Sequence, residues 1–176
     1  IGPEITLKAL SKNPNLYNKL TPIVFASPDI LHFYIQKLSI NLEVATITDF
    51  AKFSFKPGTV FCHPVNVDHY LPQVGQITAD AGEHAFKYIT SAIEAAKNGI
   101  VKGVVTAPIN KEAFKLGGVP FLDHTEIFTK LTNSQNTMTL FVTGNMRTFF
   151  YSRHIPFRDI ADDLEVDRIV KTLNVC

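Results

Sequence analysis

The stretch "TADAGEHAFKYITSAIEAAKNG" (Thr78–Gly99), followed four residues later by "GVVTA" (Gly103–Ala107), decides the fold class. In the first segment Ala85, Ile89, Ala92, Ile93 and Ala96 recur at helical spacing, and Gly99 supplies a stop. The second is a short apolar run rich in β-branched residues, which predicts a strand. A helix leading into a short buried strand is the repeating unit of layered α/β proteins. Moving toward the N-terminus, "GTVFCH" (58–63), "LEVATI" (42–47) and "PIVFA" (22–26) are predicted strands. "SPDILHFYIQKL" (27–38) reads as a helix with Ser27 at the N-cap and Pro28 at its first position. "GPEITLKALSK" (2–12) is a further helix, with Pro3 suited to its first turn. Toward the C-terminus, "GVVTA" gives way to a polar turn and a short helix. "TMTLFVTG" (137–144) and "RTFFYSRH" (147–154) form a strand pair, and "EVDRIVKTL" (165–173) is a last helix.

Composition bounds the function classes. A hydrophobic content of 45% with 19% charged residues, over 176 residues, suits a soluble domain with a sizeable core or a large part of a bigger one. The net charge of +1 has no basic run behind it, which argues against a nucleic-acid surface. No apolar run approaches the roughly 20 residues of a membrane helix, and no secretory leader is visible. Two cysteines, Cys62 and Cys176, imply no disulfide framework, so a reducing cytoplasm is the expected location. The chain opens on Ile1 and closes on "LNVC", so both ends read as cut. Residues 1–176 are expected to form a single partial α/β region, with no repeat or linker inside it.

Ligands of such folds gather beyond the carboxyl ends of the strands. That rule selects Pro108, Asn110 and Lys111 after "GVVTA", His154 after "RTFFYS", and "PFLDHTEIF" (120–128) one short helix later. In the last stretch Asp123 with Glu126 three residues on is a capping box that starts a helix at His124. "TAPINK" (106–111) combines a hydroxyl, a rigid proline and a cation, which suits an anionic ligand and equally suits an ordinary turn with a solvated lysine. Read alone, His154 and His124 are more often backbone-bonded histidines than metal ligands, because a metal site needs three or more donors. "CHPVNVDH" (62–69) brings together Cys62, His63, Asp68 and His69, but fits no standard zinc spacing and is read as a loop. His32 and His84 fall within helices and are read as structural. The glycine-rich dinucleotide fingerprint and the phosphate loop are both absent from the sequence.

Three segments, "IGPEITLKAL" (1–10), "TAPINKEAF" with "GGVPF" and "DHTEIF" (106–128), and "HIPFRDIAD" (154–162), resemble the 4-hydroxythreonine-4-phosphate dehydrogenases of vitamin B6 biosynthesis. The His-Thr-Glu motif and the His-hydrophobic-Pro-hydrophobic-Arg motif carry the likeness together. It spans nearly the whole chain, which looks like the first half of a family member. The resemblance implies a three-layer α/β/α fold of the isocitrate and isopropylmalate dehydrogenase type, in a homodimer with the active site at the subunit interface. It implies NAD-dependent oxidation of 4-phosphooxy-L-threonine, then decarboxylation to 3-amino-2-oxopropyl phosphate, in pyridoxal 5'-phosphate biosynthesis.

By the same resemblance, His154 is the first of three histidines holding a divalent metal (zinc, magnesium or cobalt). His124 and Thr125 contact the substrate, and Lys111 is a secondary candidate for anion contact. The other metal histidines and the NAD and phosphate contacts belong to the family sequence after Cys176, so the chain by itself is expected to be inactive. In chemical terms the metal would stabilise the alkoxide as hydride leaves, and NAD would accept the hydride. The general base is unassigned. The family usually has Gly where Asp123 stands. Two further readings accompany this one: a paralogue oxidising D-threonate or D-erythronate 4-phosphate, and a non-catalytic metabolite-binding or dimerisation module of the same fold.

Overall fold

The computed structural model describes residues 1–52, 54, 56, 58–67, 73–134, 137–152 and 155–174. The described residues group into two compact units, Ile1–Thr132 and Asn133–Cys176.

The first unit is built on a parallel sheet. Strands β1 (Ile23–Ala26), β2 (Glu43–Thr46) and β3 (Thr59–Pro64) assemble in the order β1-β3-β2, with β3 in the centre. Val24 pairs with Cys62 on one side of β3, and Val44 pairs with Val60 on the other. Helices α1 (Gly2–Lys12) and α2 (Pro28–Leu38) pack on this sheet. Leu7, Leu10, Ile30, Leu31 and Tyr34 meet Ala26, Val60 and Cys62 in one buried cluster. Side chains alternate along a strand, so Phe61, also buried, belongs to the opposite face. All five of these elements stand where periodicity predicts them. Ser27 does occupy the N-cap position of α2, but its side chain makes no capping hydrogen bond there.

Helix α3 (Ala79–Lys97) then starts at Thr78, whose hydroxyl accepts from the amide of Ala81 at 3.2 Å. It ends where Gly99 takes a positive φ of 72°. Helices α4 (Lys111–Leu116) and α5 (His124–Leu131) pack against it through a second cluster, Ile89, Ile93, Phe114 and Ile127. Two glycines set the distance between α3 and α4. A Cβ on Gly82 would lie 2.0 Å from the carbonyl oxygen of Ala113, and one on Gly117 would lie 2.6 Å from that of Ala79. Only hydrogen fits at either position.

The strand predicted at "GVVTA" is a correction. Residues 103–107 join no strand ladder, and Val105 is 99% exposed. β-propensity describes fit to a pleated, half-buried surface, and without a neighbouring strand it makes no strand. The polar turn and short helix expected after it are present, but they follow a connecting segment and not a sheet edge.

Among the described residues the second unit holds a hairpin, a short 3-10 turn (Phe157–Asp159) and an α-helix. Strands β4 (Leu140–Thr143) and β5 (Met146–Phe149) pair antiparallel across a two-residue turn, in which Gly144 supplies a φ of 58°. Helix α6 (Val166–Leu173) is tied back by the Tyr151 hydroxyl, which donates to the carbonyl of Asp163 at 2.8 Å. Arg168 stacks over the Tyr151 ring and pairs with Asp163. None of the described residues of this unit is buried. No helix among the described residues is long and apolar enough to cross a membrane.

Gly82→Ala should therefore lower the unfolding free energy by about 3 kcal/mol or more, through overpacking against backbone that cannot yield. Gly103→Ala, where a Cβ would meet nothing within 4 Å, should stay within about 0.5 kcal/mol of the parent. Urea titrations of both variants, followed by circular dichroism, make the comparison.

Candidate substrate-binding site

The residues from "TAPINK" to "DHTEIF" lie along one run of the first unit. Asn110 is the N-cap of α4, its Oδ1 accepting from the amide of Ala113 at 2.8 Å. Lys111 is therefore the first residue of that helix, with an exposed side chain and no ion pair among the described residues. Helix α4 closes on a tight turn. The amide of Gly118 donates to Lys115 and that of Val119 to Phe114, with Gly118 at a positive φ of 67°. Val119 and Phe121 join the second cluster, so the chain is anchored immediately before α5 begins.

At the start of α5 the capping box expected from the sequence is present, with one difference. Asp123 Oδ1 accepts from the amide of Glu126 at 2.9 Å. The Glu126 carboxylate accepts from the amide of Leu122 at 2.8 Å, one residue earlier than the N-cap amide that such a box ordinarily uses. Ile127 is fully buried and fixes the helix face; burying such a side chain contributes about 1.5–3 kcal/mol. Within this frame His124 is half-buried, and its Nε2 atom is enclosed with no hydrogen-bond partner among the described residues. Thr125 follows, its carbonyl accepting from the Thr129 hydroxyl at 2.7 Å. Lys111 and the His124-Thr125 pair thus each open a helix docked on α3. No hydrogen bond or ion pair joins Lys111 to either of them among the described residues.

The other candidates separate cleanly. Cys62 is buried in the first cluster, its thiol directed at the carbonyl of Ala26 at 3.5 Å. Burial pushes that thiol up to about 11, the hydrogen bond opposing only in part. His63 is pinned by its Nδ1 to the carbonyl of Ile47 at 3.0 Å and sits between the rings of Phe25 and Phe50. Both are structural parts of β3, while Asp68 and His69 lie outside the described residues. His84 is buried beside Tyr88, and His32 is exposed on α2. His154 lies outside the described residues. Among the described residues no three histidine, cysteine or acidic side chains converge as a metal site would require.

Sequence reading missed the pair that brings α4 and α5 onto α3, Gly82 with Gly117. The available signal was the Gly117-Gly118 doublet, which invites a close backbone approach as well as a turn.

Comparison with known proteins bears on the whole of this arrangement. Residues 18–176 match the family described as pyridoxal phosphate biosynthetic protein PdxA. A protein of Symbiobacterium thermophilum named "Putative D-threonate 4-phosphate dehydrogenase" is 36% identical over 178 residues, covering 100% of this chain and 52% of its own length. One of the same name from Halalkalibacterium halodurans is 34% identical over 177 residues, covering 100% of this chain and 53% of its own. The crystal structure of a 4-hydroxythreonine-4-phosphate dehydrogenase from Burkholderia phymatum superposes with a TM-score of 0.86 at 28% identity, over 98% of this chain and 52% of that one. The corresponding enzyme from Klebsiella pneumoniae gives 0.77 at 27% identity, over 91% of this chain and 51% of that one. The chain spans about half the length of the relatives it matches. Its α/β fold is that of these dehydrogenases.

Two outcomes check the site. Asp123→Gly should cost a few tenths of a kcal/mol, whereas Asp123→Ala should cost about 1 kcal/mol, because glycine is a tolerable N-cap and alanine is not; thermal melts measure both. In a Cys176→Ser background, Cys62 should resist iodoacetamide at pH 8 and become fully alkylated in denaturant, as read by mass spectrometry. Ready alkylation of the folded chain would contradict its burial.

Proposed function

Because the chain belongs to the family of the pyridoxal phosphate biosynthetic protein PdxA, we propose that it forms the substrate-contacting part of a dehydrogenase acting on a four-carbon phosphorylated hydroxy acid, D-threonate 4-phosphate foremost. The observation that carries this reading is the whole-chain match, at 34–36% identity, to relatives named for that substrate. A second reading, oxidation and decarboxylation of 4-phosphooxy-L-threonine, is favoured by the solved structures, at 27–28% identity. Both substrates are acids with a secondary alcohol and a terminal phosphate, and differ in carrying a hydroxyl or an ammonium group beside the carboxylate.

The chemistry follows from that shared skeleton. NAD, when bound, would supply the acceptor for hydride from the carbinol carbon, and the hydroxyl proton would pass to a base, leaving a ketone. His124 supplies a ring nitrogen, unpaired among the described residues, as the group to hydrogen-bond a substrate oxygen. Thr125 adds a short polar side chain in the same helical turn. Lys111, exposed at the start of α4, offers a cation to the phosphate or carboxylate. A divalent ion held in part by His154 belongs to the proposal as an implication of the family, and no step is routed through it. The homodimer with its active site at the subunit interface, and the cytoplasmic location, are part of the same proposal.

The decisive experiment is steady-state NAD reduction by the protein that carries this sequence, with D-threonate 4-phosphate, D-erythronate 4-phosphate and 4-phosphooxy-L-threonine supplied separately. kcat/KM should favour D-threonate 4-phosphate over 4-phosphooxy-L-threonine by roughly tenfold or more, the discrimination expected when a site pairs a hydroxyl and leaves an ammonium unmatched. Turnover confined to 4-phosphooxy-L-threonine would establish the second reading in its place. Absence of turnover with all three would leave a binding module.

A further inference from the structure

We infer that Glu126 is a positioning residue for His124, holding the imidazole through the turn that precedes it; the inference rests on reading His124 as a substrate contact. Three observations converge. The first is the displaced bond. An ordinary capping box needs only the N-cap amide, but the Glu126 carboxylate reaches past it to the amide of Leu122 at 2.8 Å. The loop that it closes runs from Leu122 through Asp123, His124 and Thr125 to Glu126.

The second is where the bond lies. Leu122 is 74% exposed, so water would satisfy its amide nearly as well as the carboxylate does. A hydrogen bond that only replaces one to water contributes little net stability. Its consequence is geometric: it restricts the backbone on the N-terminal side of His124, while Asp123 accepting from the Glu126 amide restricts the other side. The third is the state of the ring being held. His124 Nε2 is enclosed and unpaired among the described residues, so no hydrogen bond at that atom fixes the imidazole. Its orientation is left to the packing around it and to the backbone beneath it. A group meant to bond a substrate oxygen must be unpaired at its tip and fixed at its base, and Glu126 restricts the base.

The test compares Glu126→Ala with Glu126→Gln in the protein that carries this sequence. The glutamine amide oxygen can still accept from Leu122, and alanine cannot. Both variants should melt close to the parent. The Leu122 amide should exchange with solvent faster in the alanine variant and at the parental rate in the glutamine variant. The His124 ring signal in nitrogen-15 spectra, assigned by its loss in His124→Asn, should broaden or split in the alanine variant and return to a single line with glutamine. Titration with D-threonate 4-phosphate, followed on that signal, should show binding weakened about three- to tenfold in the alanine variant, the cost of ordering one freed side chain, with recovery in Glu126→Gln. A His124 signal and a Leu122 exchange rate that are both unchanged by Glu126→Ala would overturn the inference. If the parent itself fails to bind the phosphorylated acid, the substrate reading falls, while the ring signal and the exchange rate still decide whether Glu126 positions His124.

Discussion

The contact between α3 and the α4 turn is the constraint from which the rest of the first unit's site follows. At Gly82 the backbone of one helix lies against the carbonyl of Ala113 in the other, and at Gly117 the relation is reciprocated against Ala79. Helix axes held this close bring Phe114 down onto Ile89 and Ile93, and leave room beneath for Ile127. Helix α5 is then seated by a cluster that already exists, and its first turn has one available direction. The side chains of chemical interest lie at the starts of helices whose positions are set by two missing methyl groups. Dispersion and apolar burial hold the assembly, but the glycines determine its spacing.

Much of this was legible in the sequence, for identifiable reasons. α3 was visible because it is long and strongly periodic, and its start and stop both use ordinary chemistry, Thr78 at the cap and Gly99 beyond the end. The sheet strands were visible as short apolar runs between breakers. "GVVTA" satisfied the same criteria and yet forms no strand, because a run of residues encodes a preference for a ladder and cannot supply the partner. By contrast "TMTLFVTG" does carry its partner nearby, across the Gly144 turn, and pairs as expected. Local sequence therefore reported faithfully on elements whose partners are local or multiply determined. It failed where pairing is the whole of the element.

The candidate site divides along the same line. The cap at Asp123 follows from spacing alone, since an acceptor at the N-cap and a carboxylate three residues on are enough to specify it. The shift of Glu126 to the Leu122 amide does not, because it depends on how the Pro120–Leu122 segment enters the helix, which Val119 and Phe121 decide by packing on α3. The enclosure of His124 Nε2 is likewise a property of packing. Cys62 and His63 illustrate the converse. Two good ligand types stand side by side in sequence, but alternation along β3 sends one into the α1–α2 cluster and the other between two phenylalanine rings.

The strand order of the sheet has a bearing on how the molecule comes into being. β3 is the last of the three strands along the chain and the middle one in space. As the polypeptide emerges during synthesis, β1 and β2 are made first, and among the described residues each pairs with β3 alone. Until residues 59–64 appear, the nascent chain holds two apolar segments with open hydrogen-bonding edges, the condition in which chains seek one another. The arrival of one six-residue strand then closes both ladders together and lets Val60 and Cys62 complete the cluster beneath α1 and α2. Assembly of this sheet thus waits on the non-local pairing of β3, and folding of that kind is slow relative to helix formation.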